Sequence, residues 1–71
     1  MINIVKVKMR MLELGLTQPE IAEKMGINVA TLNMKLNNKR RIYVDEYFKL
    51  CDILKLDTTE KRTELLGVAI I

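Results

Sequence analysis

Side chains that could carry out covalent chemistry are few in this 71-residue sequence. It contains one cysteine, Cys51, and neither histidine nor serine. A Ser-His-Asp triad cannot form without serine and histidine, and the Cys51 thiol has no imidazole to take up its proton. The usual ligand set of a zinc site is missing for the same reason. We therefore expect no enzyme activity, no catalytic residue, no bound metal and no cofactor.

Positive charge is concentrated in the first part of the chain, although the formal net charge is only +3. Residues 1–42 carry eight Lys or Arg against three Asp or Glu, whereas residues 43–71 carry four against six. The densest basic run is Lys39-Arg40-Arg41, and Lys35 precedes it by about one helical turn. Clustered cations bind polyanions because they displace counterions from phosphates. The run indicates a polyanionic partner, and an ordinary solvated surface is the alternative.

Apolar residues recur at helical spacing between residues that stop helices, which predicts an all-α fold. The predicted helices run from an Asn3 cap to about Leu14, from Gln18 to Met25, from Val29 to about Asn37, from Val44 to about Lys55, and from a capping box at residues 57–60 to Gly67. We expect one domain over residues 1–71, a compact bundle of about five short helices with an apolar C-terminal tail at 68–71.

Two of these helices place the buried side chains most clearly. The first helix has Val7, Met11, Leu12 and Leu14 as its predicted apolar side. In the fourth helix Cys51 is predicted to lie in the core, where a free cysteine behaves as a small apolar residue.

A tight helix-turn-helix is predicted at about residues 18–37. Thr17-Gln18-Pro19-Glu20 has the pattern of a capping box, in which a threonine hydroxyl and a glutamate carboxylate satisfy free backbone amides. Gly26 suits the positive φ that such a turn needs, and Ile27 can pack in the angle between the two helices. Asn28 is then placed to cap the second helix.

Residues 12–56 resemble the Cro-like and lambda-repressor-like helix-turn-helix family. The matching segments are Leu14-Gly15-Leu16-Thr17-Gln18, Ile21-Ala22-Glu23-Lys24-Met25-Gly26-Ile27, Thr31-Leu32, Lys35-Leu36-Asn37-Asn38-Lys39-Arg40, and the spacing of Leu50, Ile53 and Leu56. The resemblance implies a bundle of about five helices that binds operator DNA. It also implies a regulator of the kind found in phages, prophages and mobile elements.

A helix-turn-helix places its second helix in the major groove, and the first helix lies across the DNA backbone. At 100° per residue, Leu32 and Leu36 face inward, and the residues left to read bases are Asn28, Val29, Ala30, Asn33, Met34 and Asn37. This composition favours an A·T-leaning half-site. The candidates for phosphate binding are Thr17, Gln18, Lys35, Lys39, Arg40 and Arg41. Gln18 resembles the family's glutamine that contacts a phosphate and can brace a side chain of the reading helix.

The sequence therefore predicts a sequence-specific regulator of transcription that binds double-stranded DNA, and most simply a small phage-type or mobile-element repressor. A homodimer on two half-sites is expected, with the tail at 68–71 and Met1-Ile2 as candidate dimer contacts. The alternatives are a helix-turn-helix module for protein contact, antitoxin-like or antirepressor-binding, and a structural subunit. With no signal-peptide pattern and no long apolar run, we expect a chain complete from Met1, located in the cytoplasm, with no membrane or small-molecule partner.

Overall fold

The computed structural model describes residues 1–67, and these contain five α-helices and no strand. The helices are α1 (Ile4–Leu14), α2 (Gln18–Met25), α3 (Val29–Leu36), α4 (Val44–Ile53) and α5 (Thr59–Leu66). The all-α fold with its helix-turn-helix is confirmed. The apolar tail predicted at 68–71 lies outside the described residues.

Most helices begin at a side chain that satisfies a free backbone amide. The Thr17 hydroxyl accepts from the Glu20 amide at 3.4 Å, and the Glu20 carboxylate accepts from the Thr17 amide at 3.3 Å. The predicted capping box is thus present. The second box, predicted at residues 57–60, is wrong in its register: Thr58 caps α5 and accepts from the amide of Lys61 at 3.2 Å. A lysine at that third position cannot return a bond to the cap, because its ammonium only donates.

Left-handed residues end several helices. Gly15 and Gly26 close α1 and α2 with φ of 67° and 72°. Asn38 has φ of 61° just beyond α3, a position where asparagine is the usual substitute for glycine. Helix α4 ends at Ile53, earlier than the predicted Lys55, since Lys55 itself is left-handed with φ of 54°.

The core joins all five helices of residues 1–67, with α2 packed on α3 and α4, and α1 packed on α5. Its buried apolar members are Ile2, Val7, Met11, Ile21, Ala22, Met25, Leu32, Leu36, Tyr47, Leu50, Cys51, Leu54, Leu56, Leu65 and Leu66. Ile27 packs against this core, as expected for a residue in the angle between α2 and α3. None of the helices in residues 1–67 has the length and hydropathy needed to cross a bilayer.

Two predictions about the N-terminal region are wrong. Leu12 is 83% exposed rather than buried, because the inward face of α1 is formed by Val7 and Met11, with Ile4 packed beside them. Ile2 is only 6% exposed and therefore cannot serve as a dimer contact. Its backbone is held by Asn38, whose side chain accepts from the Ile2 amide and donates to the Ile2 carbonyl, both at 3.0 Å.

Candidate nucleic-acid interface

Helix α3 has one apolar face inside the core and a second face in solvent. Leu32 and Leu36 have no exposed surface, because they pack between α2 and the rest of the core. Among the predicted base-reading residues, Asn28, Val29, Ala30, Asn33 and Asn37 are exposed, and Met34 is half-buried. All six therefore have surface open to solvent, on α3 or at its two ends.

A hydrogen bond between the two helices holds Asn33 in place. Its Nδ2 donates to Oε1 of Gln18 at 3.2 Å, so the first residue of α2 braces the middle of α3. An asparagine amide has two N–H groups and one oxygen, which leaves one donor and one acceptor on Asn33. Farther along α3, Asn37 donates from Nδ2 to the Asn33 carbonyl at 2.8 Å.

The side chains of Asn28 and Thr17 form hydrogen bonds at the N-terminal ends of α3 and α2. Asn28 Oδ1 accepts from the amide of Ala30 at 2.7 Å, so its role as a cap uses the side-chain oxygen. The Thr17 hydroxyl donates to the Glu20 carboxylate at 2.9 Å while accepting from the Glu20 amide. With its proton committed to Glu20, Thr17 has no hydroxyl donor for a phosphate, and Gln18 is the better candidate at this end of α2.

The basic segment follows α3 directly. Lys39, Arg40 and Arg41 are all exposed, and none of them forms an ion pair with the described residues. The Lys39 amide donates to the Met34 carbonyl at 2.8 Å, which ties the start of the segment to the end of α3. Three free cations are thus displayed beside the solvent-facing side of the helix.

Lys35 does not belong to the phosphate-binding set, and this part of the prediction is corrected. The residue is only 5% exposed, and its ammonium donates to both carboxylate oxygens of Glu46. Its Nζ also lies 5.0 Å from the centroid of the Tyr43 ring. Because its charge is neutralised inside the protein, Lys35 offers none to a phosphate.

Sequence reasoning missed the role of Glu46, which lies in the first turn of α4. Its Oε1 also accepts from the Tyr43 amide at 2.9 Å, so one carboxylate caps α4 and binds the buried lysine. The signal was available in part, since a glutamate three residues after a helix cap is the acidic half of a capping box. The pairing with Lys35 has no local signature.

No metal or nucleophilic centre accompanies this surface. Within residues 1–67 no cluster of acidic, cysteine or histidine side chains could hold a metal ion. Burial raises the pKa of the Cys51 thiol, an effect that the nearby Arg62 charge partly offsets. A buried thiol held in its protonated form is a packing group rather than a nucleophile.

The arrangement is that of a helix-turn-helix domain: a capped first helix, a glycine turn, and a second helix with an exposed polar face. The sequence model of the helix-turn-helix family of Cro/C1 type matches residues 7–61. The chain therefore belongs to this family, which consists of DNA-binding regulators and is not typically enzymatic. No curated protein and no solved structure matches the chain significantly.

Proposed function

We propose that the protein binds double-stranded operator DNA sequence-specifically and acts as a small transcriptional repressor of the phage or mobile-element type. The observation that supports this most strongly is the solvent-facing side of α3, which carries amides and methyl groups and is braced from α2 by Gln18. Side chains of these kinds read base edges in the major groove. The free cations at residues 39–41 lie next to this face.

Base readout is proposed to depend on both the side-chain amides and the methyl groups of this face. The remaining donor and acceptor of Asn33 match the N6 and N7 positions of adenine, the usual partner of asparagine in the major groove. Val29, Ala30 and Met34 would contact thymine methyl groups, and Asn28 and Asn37 would contact bases at the two ends of the helix. No arginine lies on α3 to read guanine. The half-site is therefore proposed to be rich in A·T pairs.

Gln18, Lys39, Arg40 and Arg41 are proposed to contact phosphates and so set the register of α3 in the groove. A single domain of this size reaches only a few base pairs. We therefore propose that residues 1–71 form one DNA-binding unit, and that two copies bind half-sites about 34 Å apart. The proposal needs no cofactor or small-molecule ligand, and the protein would act in the cytoplasm, where the DNA is.

Salt-dependent DNA binding tests the phosphate contacts. Fluorescence anisotropy with a labelled duplex would compare the wild type with the Lys39→Ala/Arg40→Ala variant at several salt concentrations. Removing two phosphate contacts should weaken specific and nonspecific binding alike and reduce the slope of log K against log[salt] by about 1.8. A control variant, Lys49→Ala/Lys61→Ala, removes the same charge from exposed positions on α4 and α5 and should change the slope much less.

Two results would contradict this assignment. A change in sequence preference with an unchanged slope would show that these residues do not contact phosphates. Binding that is insensitive both to salt and to the charges at 39–41 would instead favour a helix-turn-helix module for protein contact.

A further inference from the structure

Helix α1 carries an apolar stripe on its outer surface, formed by Val5, Met9 and Leu12. These side chains are 64%, 59% and 83% exposed. At 100° per residue they fall within about 60° of the helix circumference, so they form one line along the helix. Exposed aliphatic residues that are scattered need no explanation, whereas a contiguous line marks an interaction surface.

The stripe is separate from the surfaces that the fold already uses. Val7 and Met11 form the buried face of α1, and α1 packs on α5. The candidate DNA-binding residues lie on α2, on α3 and in the segment that follows it. An occupant of the stripe therefore need not displace the core or the base-reading face.

The charges beside the stripe indicate what that occupant is. Lys8 lies along one edge, is exposed, and forms no ion pair within residues 1–67. Glu13 lies along the other edge with 66% of its side chain exposed, and its ion-pair partner Arg10 is 3.9 Å away, near the limit for such a pair. A surface with a free cation on one edge and a weakly paired anion on the other is complementary to itself.

We propose that the stripe binds a second copy of this chain, with the two α1 helices side by side and pointing in the same direction. The spacing of Val5, Met9 and Leu12 is that of alternating core positions in a heptad repeat. In a parallel pair each of them meets its own counterpart, and a residue flanking one helix faces the residue five positions later on the other. Lys8 of each copy thus faces Glu13 of its partner.

The opposite orientation is less well supported by the charges. In an antiparallel pair, Glu13 would face Lys6 of the partner. Lys6 is already committed, because its Nζ donates to Glu64 of α5 at 2.8 Å. The parallel pairing uses the lysine that is free.

This inference rests on the proposed function in one respect: it supplies the two copies that a twofold operator needs. The contact is isologous, since the same patch is used on both copies. With three apolar positions per copy it is smaller than a stable interface of about 1,600 Å². The dimer is therefore weak in free solution, and simultaneous binding of two half-sites strengthens it.

Sedimentation equilibrium of the full chain without DNA tests the pairing, at protein concentrations up to about 1 mM, where weak association is detectable. The wild type should associate reversibly to a dimer. Leu12→Asp should weaken association at least tenfold. Lys8→Glu and Glu13→Lys should each weaken it about threefold or more, and the Lys8→Glu/Glu13→Lys double variant should restore it to near the wild-type value.

Three controls keep the outcomes separate. Circular dichroism confirms that each variant is folded, which is expected for the changes at Lys8, Leu12 and Glu13 because these residues are exposed. Ile70→Asp in the full chain tests the apolar tail as the alternative contact and should leave association unchanged. Binding of Leu12→Asp to a duplex with a single half-site should equal that of the wild type, so loss of dimerisation is distinguished from loss of DNA binding.

The proposal is overturned by any of three results. One is a wild type that stays monomeric over the whole concentration range. The second is loss of association in Ile70→Asp with no effect of Leu12→Asp. The third is a double charge variant that remains as weak as the single variants, which would exclude the Lys8–Glu13 pairing.

Discussion

Asn33, the residue proposed to read a base at the middle of α3, has its side chain held in place by the protein itself. Its bond to Gln18 uses one N–H group and fixes the amide at the middle of α3. Ordering a free side chain on binding costs about 0.5–1.5 kcal/mol, and a side chain that is already held avoids part of this cost. The same contact links the residue proposed to touch phosphate with the residue proposed to touch a base. We therefore expect contact with the DNA backbone and recognition of the base to be coupled.

Lys35 and Glu46 form a different kind of residue-scale feature, a charge pair inside the protein. The side chains are only 6% and 13% exposed. The carboxylate also accepts from the Tyr43 amide, so the pair connects the end of α3 to the start of α4 across the basic segment. The position of the free cations at 39–41 thus depends on a buried ion pair at the two ends of the segment.

Replacing one member of that ion pair should lower the free energy of unfolding more than replacing both members. Lys35→Met leaves the Glu46 carboxylate buried without its cation, and we expect a loss of about 3–5 kcal/mol in the free energy of unfolding. Lys35→Met/Glu46→Gln should recover most of that loss, because no buried charge remains. Urea unfolding measures both variants.

An exposed pair supplies the control. Lys6→Met breaks the ion pair between Lys6 and Glu64, whose side chains are 44% and 54% exposed. This change should lower the free energy of unfolding far less, because solvent screens the two charges. If Lys35→Met lowered the free energy of unfolding no more than Lys6→Met does, the ion pair of Lys35 with Glu46 would not be a buried structural contact.

At the scale of elements, the turn between α2 and α3 determines how the second helix is presented. Gly26 has φ of 72°, and its amide donates to the carbonyls of Ala22 and Glu23. A β-carbon added at this position would meet no atom within 4 Å. The requirement for glycine is therefore conformational and not steric.

Gly26→Ala should lower the free energy of unfolding by about 1–2 kcal/mol, the cost of a left-handed L-residue. Gly15→Ala is the matched control, since Gly15 has φ of 67° and equally open surroundings. Thermal unfolding should show similar losses for the two variants. At a temperature where both are folded, Gly26→Ala should lose more affinity for DNA, because its turn orients α3. Equal DNA affinities would contradict that role of the turn.

Comparison of the elements shows what local sequence signals could and could not predict. The capping box at Thr17, the left-handed Gly26 and the inward leucines of α3 are encoded within a few residues, and they were predicted from the sequence. Leu12 was assigned wrongly because α1 has more apolar residues than one face can hold. Its periodicity alone cannot decide which of two apolar faces is buried.

The candidate site follows the same rule. The exposed face of α3 and the cations at 39–41 follow from helical periodicity and charge, so their placement was predictable. The burial of Lys35 depends on Glu46, which is eleven residues away in the sequence. The two hydrogen bonds between the Asn38 side chain and the Ile2 backbone join residues that are thirty-six positions apart. Such contacts form only when the chain has folded, and no local pattern encodes them.

For the whole molecule, the distribution of surfaces separates the proposed roles. The proposed base-reading groups lie on α3 and the free cations lie just after it, while the apolar stripe lies on α1. The N-terminal segment joins these parts, because Ile2 is held by Asn38 beyond α3 and the Asn3 amide donates to Leu65 of α5 at 2.8 Å. One small core thus supports two separate surfaces.

The stability of the whole fold should fall at high pH. Burial raises the pKa of the Cys51 thiol, so above its ordinary value of about 9 the unfolded chain loses this proton while the folded chain keeps it. The unfolded state then binds fewer protons, and the free energy of unfolding decreases as pH rises. Below that pH the thiol is protonated in both states and contributes no pH dependence.

Urea unfolding between neutral pH and about pH 10 checks this expectation. Cys51→Ala should be less stable than the wild type at pH 7 because a core atom is lost, yet its stability should fall less between pH 8 and 10. Burial raises the pKa of Tyr47 as well, so its ionisation should also lower the free energy of unfolding, at still higher pH. Equal pH dependence in the two proteins would show that the thiol does not contribute.

The most direct test of the central claim, that the exposed face of α3 reads DNA, is selection of bound duplexes from a random pool with the wild type and with Asn33→Ala. For the wild type we predict enrichment of an A·T-leaning motif with twofold symmetry and half-sites about 34 Å apart. Asn33→Ala should lose preference at one base pair of each half-site and about 1–3 kcal/mol of discrimination there. An unenriched pool, or an Asn33→Ala motif identical to that of the wild type, would contradict the account.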